Sequence, residues 1–161
     1  MAEGPRRYAS VVGPGVCDVE TAALARAVGH GLAEAGMTVV TGGEGGAMEW
    51  ASRGAREAGG MVVGVLPGLD RSRANVHADV TVVTGIGHAR NLAMAASGDV
   101  LVAVGGGWGT LSEIALAGVL GRPVVVLAGW KLEHAGGVPG EVHYAADAQE
   151  AVALAARLAR T

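Results

Sequence analysis

The chain has 161 residues, half of them hydrophobic and 17% charged, with a net charge of −3; this is the composition of a globular domain with a well-filled core, and it excludes long disorder. The acidic balance, with no phenylalanine and only 3% aromatic residues, argues against a nucleic-acid binder, which needs a basic face and stacking platforms. A single cysteine excludes an internal disulfide framework, no apolar run reaches membrane-spanning length, and Met-Ala-Glu-Gly-Pro-Arg-Arg at the start lacks the apolar stretch of a secretion signal, so a cytoplasmic chain without membrane contact is expected.

Tyr8 to Val12 reads as a first strand, closed by Gly13-Pro14-Gly15. Asp18 is placed to cap a helix running to about Ala35, with Leu24, Val28 and Leu32 inward, and Gly36 stops it. Met37 to Thr41 forms a second strand, followed by the turn Gly42-Gly43-Glu44-Gly45-Gly46 and a helix from about Ala47 to Ala58. Met61 to Leu66 is the third strand. Leu69 to Asp79 has no periodicity and carries Asp70, Arg71, Arg73, Asn75 and His77, as expected of a surface loop near a ligand. Val80 to Val83 is a fourth strand; Thr84-Gly85-Ile86-Gly87 then turns into a short helix, His88 to Ala96.

Val100 to Val104, an unbroken valine-rich run, suits a strand buried on both faces of a parallel sheet. Gly105, Gly106, Gly107 and Gly109 follow it and lead into a helix whose apolar face is read at Leu111, Ile114, Ala115 and Gly118. Arg122-Pro123 ends that helix, and Val124 to Leu127 makes a sixth strand. Ala128 to Tyr144 is poorly patterned, with room for a short edge strand, and Asp147 to Arg160 closes as a helix with Val152, Ala155 and Leu158 inward. Alternating strands and helices of these lengths predict a single Rossmann-like domain over residues 1–161: a doubly wound, mostly parallel sheet in a three-layer α/β/α sandwich.

Four glycine turns then fall at strand ends, the side of such a sheet where ligands bind. Strand, glycine turn and helix together aim free N–H groups and a helix dipole at one point, a ready site for phosphate. Candidate ligand-binding residues are therefore Gly13, Gly42, Gly43, Gly46, Gly87, Asn91, Gly105, Gly106, Gly107, Gly109 and Thr110. The spacing is neither the dinucleotide fingerprint nor a P-loop, which would need Gly-Lys-Ser/Thr. Thr110-x-x-Glu113 fits a capping box and equally a pair turned to the ligand. Arg90, in the first turn of a helix, opposes the dipole there, and gripping a phosphate or carboxylate would explain it. Trp108 fits either the pocket mouth or loop packing. Cys17 lies where a helix start favours thiolate, though a lone cysteine is more often incidental. The five histidines show no metal-ligand spacing, so no metal site is expected.

Thr84-Gly85-x-Gly87-x-Ala89-Arg90-Asn91 followed by Gly106-Gly107-x-Gly109-Thr110-x-x-Glu113 resembles the Lonely Guy-like superfamily, which includes the cytokinin-activating phosphoribohydrolases. With Pro67-Gly68, Asn75 and the Ala-Arg-Asn triplet, the chain is most similar to the molybdenum cofactor carrier-like branch. The resemblance implies a Rossmann-like fold, a homodimer or homotetramer, and a nucleoside monophosphate or molybdopterin-type ligand at the glycine turns, with no required cofactor. It also implies the alternative of a phosphoribohydrolase, with Arg90 orienting a nucleoside 5′-monophosphate and Glu113 acting on water or the developing oxocarbenium ion. Where that hydrolase motif has proline and lysine, this chain has Gly105 and Asn91. The lysine decarboxylase label such families have carried does not fit, because a Schiff-base lysine is required and the only lysine, Lys131, lies in the poorly patterned stretch after the sixth strand.

Overall fold

A computed structural model describes residues 5–137 and 142–159. Seven strands form one sheet: β1 (Arg7–Val12), β2 (Met37–Thr41), β3 (Val62–Leu66), β4 (Val80–Val83), β5 (Val100–Val104), β6 (Val124–Leu127) and β7 (Val142–Ala145). The order is β4-β3-β2-β1-β5-β6-β7, and every neighbouring pair is parallel. Five helices connect them: α1 (Val19–Glu34), α2 (Ala47–Glu57), α3 (Arg90–Ser97), α4 (Trp108–Val119) and α5 (Ala148–Leu158). Winding reverses between β1 and β5, so the loops after these two strands part to opposite faces and leave a crevice at their carboxyl ends.

The two-residue period of the strands divides the core. Ala9, Val11, Val100, Val102 and Val104 pack under α1, α2 and α5, while Val12, Leu101 and Ala103 face Met94, Ile114 and Ala117 of α3 and α4. Strands β2, β5 and β6 are buried throughout, as their unbroken apolar runs require. Asp18 and Asp147 cap α1 and α5 by accepting from the N–H of Thr21 and Glu150.

The expected short helix after β4 is two pieces, a 3-10 turn at Gly87–Ala89, entered through Gly87 at φ 58°, and then α3. The edge strand anticipated within Ala128–Tyr144 is β7, parallel to β6; residues 138–141 and the expected helix end at Arg160 lie outside the described residues. The inward face of α4 differs from the reading by apolar spacing. Thr110, Glu113, Ile114 and Ala117 are buried, whereas Ala115 and Gly118 face out. Two polar residues share the inner face, so a purely apolar stripe misplaces it.

Helices α1 and α2 cross on two glycines. A Cβ on Gly29 would strike the Ala51 carbonyl, and one on Gly54 would strike the Arg26 carbonyl. Backbone cannot step aside as a side chain does, so overpacking of about 1–3 kcal/mol outweighs the helix-propensity gain of at most about 1 kcal/mol. Gly54→Ala is therefore expected to lower the urea midpoint; a higher midpoint would contradict this close approach.

Candidate functional site

The crevice between the β1 and β5 turns holds a chamber of about 200 Å³, walled by Gly13, Gly42, Glu44, His88, Arg90, Asn91, Gly109, Thr110 and Glu113, with Val11, Val12, Gly15 and Met48 completing it. Gly15, Glu44 and Met48 also line an outer groove of about 550 Å³ with Val16, Gly45 and Arg73, so the two are one cleft with a narrow inner end. Of the residues singled out from the sequence, Gly13, Gly42, Arg90, Asn91, Gly109, Thr110 and Glu113 meet at the chamber wall.

Gly43, Gly46, Gly87, Gly105, Gly106 and Gly107 do not line it; they shape its frame. Gly46 has φ 66° and sits so close to the Pro14 carbonyl that a Cβ would collide, which locks the β1 turn onto the start of α2. Ala47 N–H donates to the same carbonyl at 3.0 Å. Gly105 (φ 68°) donates its N–H to the Leu127 carbonyl, anchoring the turn to β6. Trp130 packs against Gly106 and donates from Nε1 to the Gly107 carbonyl at 3.1 Å.

Helix α4 starts earlier than the capping-box reading requires. Its N-cap is Gly107, with no side-chain cap, so Thr110 lies one turn inside and Thr110-x-x-Glu113 is not a capping box. The N–H groups of residues 106–110 accordingly find no acceptor among the described residues. The Thr110 hydroxyl and the Glu113 carboxyl have no hydrogen-bond partner there either, although both residues are more than nine-tenths buried. No fully enclosed side-chain polar atom among the described residues lacks a partner; the free atoms of these two side chains are therefore those that face the chamber.

Arg90 is not a surface residue: it is 8% exposed, and its guanidinium lies at the chamber floor. One terminal nitrogen donates to the Gly42 carbonyl at 2.7 Å and the Val65 carbonyl at 2.6 Å. The other faces Glu44 Oε2 at 3.8 Å, and Nε approaches Asn91 Oδ1 at 3.4 Å. Asn91 in turn donates to the Ser112 hydroxyl at 2.9 Å, which donates to the Gly109 carbonyl at 2.7 Å. One polar chain thus ties the ends of β2 and β3 to the first turn of α4. Sequence reasoning missed Glu44 and His88 as wall residues. A lone carboxylate inside a five-residue glycine turn was a signal for Glu44; His88 carried none.

Trp108 packs its ring on Trp130, centroids 5.4 Å apart, and is 79% exposed outside the chamber wall. The thiolate expected at Cys17 is not favoured. Partial burial and the adjacent Asp18 charge push its thiol up, and Asp18 itself takes the α1 N-terminus. Among the described residues no cluster of His, Cys, Asp and Glu is arranged to hold a metal ion.

Burial pushes the Glu113 carboxyl up from 4.5 to about 7, with the Arg90 charge working the other way. The folded chain therefore holds a proton that the unfolded chain releases between pH 4.5 and about 7. This contribution to stability is complete below the window and is lost as pH rises through it, on the order of 3 kcal/mol. Urea unfolding of wild type and Glu113→Gln at about pH 5 and about pH 8 should show a steeper alkaline loss in wild type. Equal losses would contradict a buried, proton-holding carboxyl.

The SLOG cluster4 family model matches residues 6–156. The molybdenum cofactor binding protein of Rippkaea orientalis superposes with TM-score 0.88 at 34% identity, covering 94% of this chain and 96% of that one. The molybdenum cofactor carrier protein of Chlamydomonas reinhardtii superposes with TM-score 0.84 at 36% identity, covering 96% and 98%. An uncharacterised protein of Archaeoglobus fulgidus is 45% identical over 117 residues, which are 73% of this chain and 77% of that one. A family match over nearly the whole chain, with the same fold in relatives above 30% identity, makes this protein a member of the SLOG cluster4 family, on the molybdenum cofactor carrier-like branch of the Lonely Guy-like superfamily.

Proposed function

We propose that the chain binds and carries a phosphorylated, nucleotide-like ligand, a nucleoside monophosphate or a molybdopterin-type compound, with its phosphate at the β5–α4 turn. The observation that carries this is the run of unpaired N–H groups at residues 106–110, opening beside the unbonded Thr110 and Glu113 side chains. Such a helix start offers fixed donors and a positive dipole end to an oxyanion. Thr110 adds a hydroxyl donor. Below pH 7 the protonated Glu113 donates to the phosphate rather than repelling it. Candidate phosphate contacts are thus the amides of Gly109 and Thr110 at the chamber wall, with Gly13, Gly42, Gly43, Gly46, Gly87, Asn91, Gly105, Gly106 and Gly107 setting the walls and frame. The molybdenum cofactor is named for the Rippkaea and Chlamydomonas proteins, and this supports the pterin form of the ligand here.

The chamber of about 200 Å³ suits the phosphate end alone, since whole-ligand sites run from about 300 Å³ upward; the remainder of the ligand extends into the outer groove. Calorimetric titration with AMP, GMP and the molybdenum cofactor should detect binding by at least one of them, competed by inorganic phosphate. Thr110→Val should weaken that binding roughly tenfold, the worth of a hydrogen bond to a charged group. No heat and no thermal shift with any of the three would end this reading.

A second reading rests on Glu113 being half ionised near pH 7 beside Arg90. It is hydrolysis of a nucleoside 5′-monophosphate. Water adds to ribose C1′ as the bond to the base nitrogen breaks; one water proton passes to the Glu113 carboxylate and is handed on to the base nitrogen, so the base leaves neutral and the carboxylate is restored. Chromatography after incubation with a panel of nucleoside 5′-monophosphates should then show free base, lost in Glu113→Gln. A panel without base release leaves the carrier reading.

We also propose that the chain forms a homodimer or homotetramer through the outer face of α3 and α4. The only charged residues of these helices, Arg90 and Glu113, are turned into the cleft. The outer face shows Leu92 at 49% exposed, Val119 at 82% and Trp108. A two-fold contact sets one patch against its own copy, and a charge-free patch brings no like charges together. Light scattering should report an oligomer that Leu92→Glu with Val119→Glu converts to monomer; an unchanged mass would place the contact elsewhere.

A further inference from the structure

The outer groove contains one cationic side chain, Arg73, and the turn that carries it is anchored from three sides. Asp70 caps the 3-10 turn Arg71–Arg73, accepting from the Ser72 N–H at 2.9 Å and the Ser72 hydroxyl at 2.6 Å. Asn75 pins the segment to the β2 glycine turn. Its N–H donates to the Gly43 carbonyl at 2.8 Å and its Nδ2 to the Glu44 carbonyl at 3.0 Å. Arg71 is committed, donating to the Thr81 carbonyl at 2.9 Å. The Arg73 N–H closes the turn onto the Asp70 carbonyl at 3.3 Å, whereas its guanidinium makes no hydrogen bond or ion pair among the described residues. The Asp70 carboxyl, which feels the Arg73 charge, is held low mainly by its Ser72 bonds.

Glu44, the groove's carboxylate, turns its Oε2 toward Arg90 at the boundary with the chamber. The cleft therefore runs from anion donors at the β5–α4 turn, past a balanced Arg90–Glu44 pair, to an uncommitted guanidinium at the far end. A ligand anchored inside must cross the Glu44 and Met48 boundary, because the inner chamber is too small for it.

On the phosphate-site reading above, we propose that Arg73 is a specificity residue that recognises a second anionic group on the part of the ligand that leaves the inner chamber. The preferred ligand class is a phosphate ester that carries a second phosphate or other oxyanion beyond the anchored one, bound along the cleft. The planar guanidinium fork suits a second phosphate or another oxyanion, and a turn already pinned by Asn75 loses little freedom on binding.

The test compares adenosine 5′-monophosphate with adenosine 3′,5′-bisphosphate, and the guanosine pair likewise, by calorimetry at low salt. These pairs differ only in the second anion. Wild type should favour the bisphosphate by roughly tenfold, as a charge-assisted contact at a partly exposed site allows. Arg73→Ala should bring the ratio to about one, and Arg71→Ala should leave the preference standing. Binding of both members of a pair with equal affinity in wild type, or a preference that survives in Arg73→Ala, overturns the role of Arg73 and leaves the phosphate site in place. Absence of binding by every nucleotide removes the phosphate site and this inference together.

Discussion

The guanidinium of Arg90 is a permanent charge set beneath the cleft, and it dictates how the surrounding turns are built. A buried cation is tolerated only when its donors are met. Here they are met by carbonyls that β2 and β3 expose as they end, Gly42 and Val65, so Arg90 clasps the two strand ends that carry the glycine turn. The arginine expected to grip a ligand spends one terminal nitrogen on the protein itself. Its other terminal nitrogen, facing Glu44, remains for the cleft.

That arrangement explains two carboxylates in a cleft otherwise suited to anions. One guanidinium cannot neutralise both, and the two differ in access to water. Glu44 stands at the chamber mouth, its side chain 34% exposed and its Oε2 3.8 Å from Arg90. Glu113 lies on the inner face of α4 with 7% exposure, so desolvation wins over Arg90 and its carboxyl rises to about 7. The inner end of the cleft is thus less negative than its composition suggests, because its deeper carboxyl holds a proton to higher pH than a free one.

Much of the fold was legible because β1, β2, β3 and β5 are short, largely apolar and closed by glycine or proline. Met37 to Thr41, Val80 to Val83 and Val100 to Val104 coincide with β2, β4 and β5. The convergence of four glycine turns was legible too, since a parallel sheet brings alternate loops to one end. What escaped was the meaning of polar residues on a helix. The inner face of α4 was drawn through Ala115 and Gly118, yet Thr110 and Glu113 lie inside. Periodicity weighs apolar residues and cannot register a face made for a polar cavity. The capping box failed for a related reason: residue spacing does not say where the first helical turn begins, and α4 begins one residue after Gly107. The acceptors of Arg90 were equally hidden, because backbone carbonyls leave no mark in a sequence.

The two departures from the phosphoribohydrolase motif acquire a physical meaning in this framework. Gly105 stands at φ 68°, a conformation closed to proline, whose ring holds φ near −65°. The β5 turn therefore follows a path that the hydrolase motif's proline could not take. Asn91 accepts from Arg90 and donates to Ser112, linking the chamber floor to the first turn of α4. Lysine has no acceptor to offer Arg90 and would set a second cation beside it. Both replacements sit within the machinery that aims the free amides of residues 106–110, and neither supplies a reacting group. On the proposed carrier reading they bear on how the oxyanion is seated rather than on how a glycosidic bond is broken, and that weighs toward that proposal over hydrolysis.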